Sequence, residues 1–159
     1  MPPKMAVTAP RTSPEGELAD APLVRFPLGL VGFETEQEFV VREDPNHPMV
    51  TWLMSQGTPG LTFPLMNPRL FAPDYTVAIS QVDLKPLGFT EGDQVEIHAI
   101  VVLRTSPPAV TANLAGPVLI NRRTGRAMQA VLPGKGTRVP APDFRSSEDP
   151  AANSLILNV

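Results

Sequence analysis

Two histidines, a few clustered carboxylates and three arginines crowded into five residues are the groups in this sequence with the chemistry to catalyse, ligate or bind anions. His47 lies in DPNHP and His98 in VEIHAIVV. A metal site needs three or four N, O or S ligands that converge. Here the histidines are isolated in sequence without spaced acidic or thiol companions, and cysteine is absent. Alternation puts His98 opposite Val95, Ile97, Ala99 and Val101, a surface or half-buried strand position. The carboxylates of EDPNHP and TEGD read as solvated turns, because acid–base work needs two groups set across a pocket with separated pKa values. No serine sits in a G-x-S-x-G elbow, and no glycines form a phosphate-cradling loop. Arg122, Arg123 and Arg126 could bind an anion, but without interleaved aromatics they read as a solubilising hairpin tip. No enzyme, metal or cofactor chemistry is expected from these residues.

The elements that must position any binding residues are short. Hydrophobic residues make up 42 % of the 159 and charged residues 18 %, which is globular composition, yet 20 are proline. Proline removes an N–H and clashes with the preceding helical turn, so helices need proline-free windows, and few exist. One such window turns into VEIHAIVVL, which is β-branched and partly alternating, the pattern of a strand. Strands are expected near Leu23–Phe26, Glu38–Arg42, Val50–Ser55, Leu61–Met66, Tyr75–Ser80, Val95–Arg104, Pro117–Asn121 and Ala127–Leu132. Turn clusters such as QGTPG, NPRLFAPD and NRRTG separate nearly all of them. Regular short strands point to an all-β, mainly antiparallel fold, a small β-barrel with short helical turns. QVDLKPLGF can form one such turn before Pro86 ends it.

Residues 1–21 read as a flexible Pro-rich leader, 22–140 as the β domain, and 141–159 as a C-terminal tail ending in LILNV. No stretch approaches the ~18 apolar residues of a membrane span, and the first residues lack a secretory core, so a cytoplasmic protein without membrane contact is expected. A formal charge of −3 gives no reason to approach nucleic acid and suits a basic protein partner.

The segment TANLAGPVLINRRTGRAMQAVL interrupts the best apolar stretch with amides and Gly-Pro. Asn113, Gly116-Pro117 and Asn121 are expected to close bends and satisfy backbone groups, while Gln129 sits mid-strand, where a buried amide must find partners. Phe71 and Tyr75, like the other aromatics, read most simply as core or rim packing; the alternative is that NPRLFAPDY, a proline-stiffened loop, holds an aromatic outward as an interface anchor.

Taken in order, FPLGLVGFE, FVV, WLMSQGTPGLTF, NPRLFAPDY and TANLAGPVLINRRTGRAMQAVL resemble the flagellar assembly factor FliW family, over about Leu23 to Pro140. The resemblance implies a β-barrel without enzymatic activity. It implies binding to CsrA, a small basic dimer that represses flagellin translation, and to flagellin itself, so that flagellin made and flagellin exported set the repressor free or bound. Contact or contact-supporting positions are placed at Phe71, Asp74, Tyr75, Asn113 and Gln129. Two departures bear on partner choice: Val31 replaces a proline common in GLPGFE, and GKGTRVP has Val139 in the place of a histidine. A flagellin chaperone that has lost the repressor is the second reading, and a small-molecule-binding barrel the third.

Overall fold

A computed structural model describes residues 22–144. The leader, and the tail residues 145–159 with LILNV, lie outside the described residues. Eight strands alternate with tight reversals: β1 (Leu23–Arg25), β2 (Glu38–Glu43), β3 (Val50–Ser55), β4 (Thr62–Met66), β5 (Val95–Thr105), β6 (Pro108–Asn121), β7 (Arg126–Gln129) and β8 (Val139–Pro140). Two 3₁₀ turns, Pro68–Leu70 and Lys85–Leu87, lie in the long β4–β5 connection. The turn expected before Pro86 forms instead around it: Pro86 lies in the first positions of the second 3₁₀ turn, where its missing N–H is no loss.

Strands run in the order β5-β4-β3-β2-β1-β7-β6, and β6 pairs back onto β5, closing a seven-stranded barrel. All neighbours are antiparallel except β1 and β7, which meet in parallel at Arg25 and Arg126. β8 lies against β6 at Thr111 and Ala112. Pro64 fits inside β4 because β4 pairs with β5 only at Leu65 and Met66, leaving one side of residue 64 without a ladder.

Alternation sorts the side chains into two layers. Phe39 and Val41, Leu53, Phe63 and Leu65, Ile100, Val118 and Ile120 fill the barrel with Val24, Phe26 and Ala127. The rings of Phe26, Phe39 and Phe63 meet edge to face in sequence, 5.2 and 6.2 Å apart. The opposite face of the wall is also apolar. Trp52, Met66, Ala99, Val101, Leu103 and Ala112 form a second cluster covered by Tyr75 and Phe144. Leu119 and Met128 lie under Leu87, with Ile79, Leu84 and Phe89 packed beside them. The expected apolar face of β5 is therefore not the barrel interior; it is the face that the β4–β5 connection covers. His98 shares the row of Ile100 and is half-buried, as alternation required.

Three expectations are corrected. Tyr75–Ser80 forms no strand, because β4 pairs directly with β5 and leaves no edge between them; Val77 and Ile79 instead pack onto the outer clusters. β6 is far longer than Pro117–Asn121, since Gly116-Pro117 makes a bulge inside one strand where a turn between strands was expected. β7 ends at Gln129, although single hydrogen bonds from Ala130 to Pro117 and from Leu132 to Ala115 continue its course. Packing also runs past Pro140: Ala141 touches the second cluster and Phe144 is buried in it.

Candidate protein-binding surface

The bulge in β6 organises the candidate residues. From His98 to Ile100 β5 advances two positions, while its partners run from Val118 to Asn113, five positions. The extra residues arch away from the ladder, as bulged strands do. Their backbone groups are met from elsewhere: Gly136 O accepts from Leu114 and Ala115, and Asn113 Oδ1 accepts from the Ala115 N–H at 3.0 Å. Gly116 leaves room here for two amides. A Cβ on it would lie 2.7 Å from Gln129 Nε2 and 3.0 Å from Asn113 Nδ2, so the two amides fill the space a side chain would take.

Gln129 uses both ends of its amide. Nε2 donates to Gly116 O at 2.9 Å, and Oε1 accepts the N–H of Val31 at 2.9 Å. Gln129 ends β7 and is not mid-strand as expected, and its amide is satisfied by tying the bulge to the β1–β2 loop. The bond depends on residue 31 having an N–H to give, which the proline expected there from the family resemblance would lack.

Tyr75 reaches the same bulge from outside, its hydroxyl donating to Leu114 O at 2.7 Å. The Lys135 ammonium stands 5.2 Å over its ring, and Arg69 Nε donates to its carbonyl at 3.0 Å. Only 5 % of Tyr75 is exposed, and burial pushes its phenol pKa up. Tyr75 is thus a packing residue, and the alternative of an outward ring is corrected: Pro68–Leu70, capped by Asn67 Oδ1, turns the chain so that the ring faces the wall. Phe71 is half-buried against the same cluster, and Asp74 is exposed. Tyr75, Asn113 and Gln129 converge on the bulge, whereas Phe71 and Asp74 sit on the covering segment.

Charged groups that sequence alone left as solvated turns are pinned. Asp93, whose side chain is 6 % exposed, accepts from Arg123 Nε and Nη2, the Thr90 N–H and Asn121 Nδ2. Arg123 above all, then the Thr90 N–H, hold its carboxyl far below the usual carboxylate range. Asn121, fully buried, also donates to Leu87 O, so this knot ties the second 3₁₀ turn to the β6–β7 hairpin. Arg122 pairs with Glu96, whose other contact is His98 Nε2 at 3.0 Å. Burial pushes Glu96 up, but Arg122 and His98 outweigh it. Two of the three hairpin arginines are thus committed to carboxylates of the same chain, which removes the anion-binding reading.

His47 is not isolated either. Its Nδ1 lies 3.1 Å from Asp44 Oδ2, which also accepts from Trp52 Nε1 at 3.0 Å. Burial raises the Asp44 pKa, but donors from Trp52, Asn46 and His47 bring it below its ordinary value. The D-x-x-H spacing carried this signal; the burial did not show in sequence. Phe144 meets His47 and Trp52 edge to face at 5.4 and 6.3 Å. Among the described residues no three His, Cys, Asp or Glu side chains are grouped to hold a metal ion, and no helix is long and apolar enough to cross a membrane.

The family described as FliW protein matches residues 10–142. The chain belongs to the FliW family. Its similarity to the flagellar assembly factor FliW of Bdellovibrio bacteriovorus is 34 % identity over 128 residues, covering 80 % of this chain and 73 % of the relative. FliW of Leptospira biflexa is 34 % identical over 130 residues, covering 80 % and 84 %. FliW of Geobacter sulfurreducens is 33 % identical over 141 residues, covering 87 % and 86 %. A crystal structure of the flagellar assembly factor FliW superposes with a TM-score of 0.66 over 86 % of this chain and 94 % of that one, at 24 % identity, and shows the shared barrel. FliW residues are thus read here on a FliW fold.

Proposed function

We propose that this FliW-family protein is a cytoplasmic, non-catalytic regulator that binds and antagonises a CsrA-type translational repressor and binds flagellin, coupling flagellin synthesis to flagellar assembly. Membership of a family of flagellar assembly factors carries the reading. The surface supports it through Glu34 and Glu36, which are held toward the ionised form by the Gly32 N–H and by the Ser55 and Thr58 hydroxyls, with no cation of this chain among those donors. Ionised, hydrogen-bonded acids suit electrostatic complementarity to a basic dimer and do not suit proton transfer near neutral pH. Phe71 and Asp74, on the covering segment, remain the proposed contact residues, with Asn113 and Gln129 at the bulge and Tyr75 behind it as contact-supporting residues.

Size-exclusion chromatography of the full chain mixed separately with purified CsrA and with flagellin tests this. Co-elution with each is expected. A second reading, a flagellin chaperone without repressor binding, is favoured by Val139, whose side chain packs against the second cluster where the family pattern carries histidine. Co-elution with flagellin alone selects that reading, and co-elution with neither removes both.

A further inference from the structure

The β1–β2 loop turns back at Leu30–Phe33, where the Phe33 N–H donates to Leu30 O at 2.7 Å and Gly32 takes φ +87, the pattern of a type II reversal. Leu30 is buried and Phe33 meets Phe63 edge to face at 5.2 Å, so the loop is anchored in the barrel. Its other aliphatic side chains are not: Leu28 is 64 % exposed and Val31 65 %. Val131, two residues beyond Gln129 and so on the same side of the chain by alternation, is 70 % exposed.

Exposed aliphatics on a mobile loop carry little meaning, but this loop is held from both ends. Gln37 Nε2 donates to Pro27 O at 3.1 Å, and the Val31 N–H is held by Gln129. A preorganised apolar tip loses less freedom on binding than a floppy one. Acid lies on one flank. Residues 26–38 contain Glu34, Glu36 and Glu38 and no lysine or arginine; Arg25 pairs with Glu38, with Arg126 opposite it on β7, which leaves Glu34 and Glu36 bonded to uncharged donors. The Gly32 N–H holds Glu34 below the usual carboxylate range, and the Ser55 and Thr58 hydroxyls do the same for Glu36.

We infer that the loop tip Leu28–Val31, with Val131 beside it and the glutamates at its flank, is the surface on which the basic repressor docks, and that Gln129 is the positioning residue that holds this tip in place. The inference rests on the repressor-binding reading above. Charge complementarity selects the occupant: a partner presenting apolar side chains within a basic surface matches both the tip and its acidic flank.

Calorimetry of the full chain against purified CsrA, and separately against flagellin, tests it with four proteins: wild type, Leu28→Ser/Val31→Ser, Glu34→Gln/Glu36→Gln and Gln129→Met. The double serine variant changes only exposed positions and is expected to melt as wild type does. It is expected to weaken repressor binding about tenfold or more, as loss of central interface side chains does, and flagellin binding less than about twofold. The glutamine variant of the acids is expected to weaken repressor binding and flatten its salt dependence. Gln129→Met removes both hydrogen bonds at similar length; faster amide exchange at Val31 together with weaker repressor binding is expected. Unchanged repressor affinity of the double serine variant, or loss confined to flagellin, overturns the surface while leaving the proposed function standing. Failure of wild type to bind the repressor overturns both.

Discussion

A single hydroxyl and a single carboxylate carry much of what joins the covering segments to the barrel wall. The Tyr75 hydroxyl is buried and donates to a bulge carbonyl that has left the β5 ladder. Tyr75→Phe leaves Leu114 O short of that donor, and removing one partner of a buried pair costs about 1–3 kcal/mol. Urea unfolding of the variant should show a lower midpoint at an unchanged slope. Asp93 works through pH. Its folded pKa lies below its value in the unfolded chain, near 3.9, so its contribution is fully present above about pH 4 and is lost as pH falls through the folded value. Between pH 6 and pH 3 the unfolding midpoint of wild type should therefore fall more steeply than that of Asp93→Asn. Equal slopes would show that Arg123 does not favour the ionised form in the folded protein.

At the scale of elements, β2, β3 and β5 were legible in sequence within a residue, because their alternation and flanking turn clusters agree. A helical turn in QVDLKPLGF was legible, but its place was not: Pro86 reads equally as a stop and as a first helical residue, and here it is the latter. What stayed hidden depended on distant chain. Tyr75–Ser80 has strand-like residues, yet closure of β4 onto β5 denies it a partner. Asn113, Gly116 and Pro117 carry turn chemistry, and a bulge uses the same chemistry as a turn, so the spacing alone could not choose between them. Gln129 was visible as an amide in need of partners, but its acceptor and donor come from segments 13 and 98 residues away. Gly116→Ala tests how much the bulge depends on this arrangement. Its Cβ would press on two side-chain amides and no backbone, so the barrel should survive with a loss of about 1–3 kcal/mol, the usual cost of overpacking. Amide exchange at Val31 should rise as Gln129 is displaced. A variant as stable as wild type with a protected Val31 would mean the amides move aside freely.

The whole molecule is a closed wall with apolar side chains on both faces, filled inside by one cluster and roofed outside by the β4–β5 connection and the chain from Leu132 to Phe144. A closed barrel has no long open edge to pair with other chains. Closure is uneven, however. β5 and β6 are matched over most of their lengths, from Val95–Asn121 to Thr105–Pro108, and lie under the outer layer. β1 is three residues long and meets β7 at one parallel position, supported by the Arg25 N–H on Gly125 O at 2.8 Å. Local opening follows the region with the fewest buried contacts and hydrogen bonds, so the barrel should part first along the β1–β7 seam. Native-state hydrogen exchange should find the amide of Arg25, which bonds across the seam, opening with a smaller free energy than those of Val101 and Leu103, whose exchange should track global unfolding. The β1–β2 loop that carries Leu28 and Val31 begins at this seam, and a repressor seated on it should slow exchange at Arg25 more than at Leu103. Equal protection of seam and β5 amides in the free protein would show that the barrel opens as one cooperative unit.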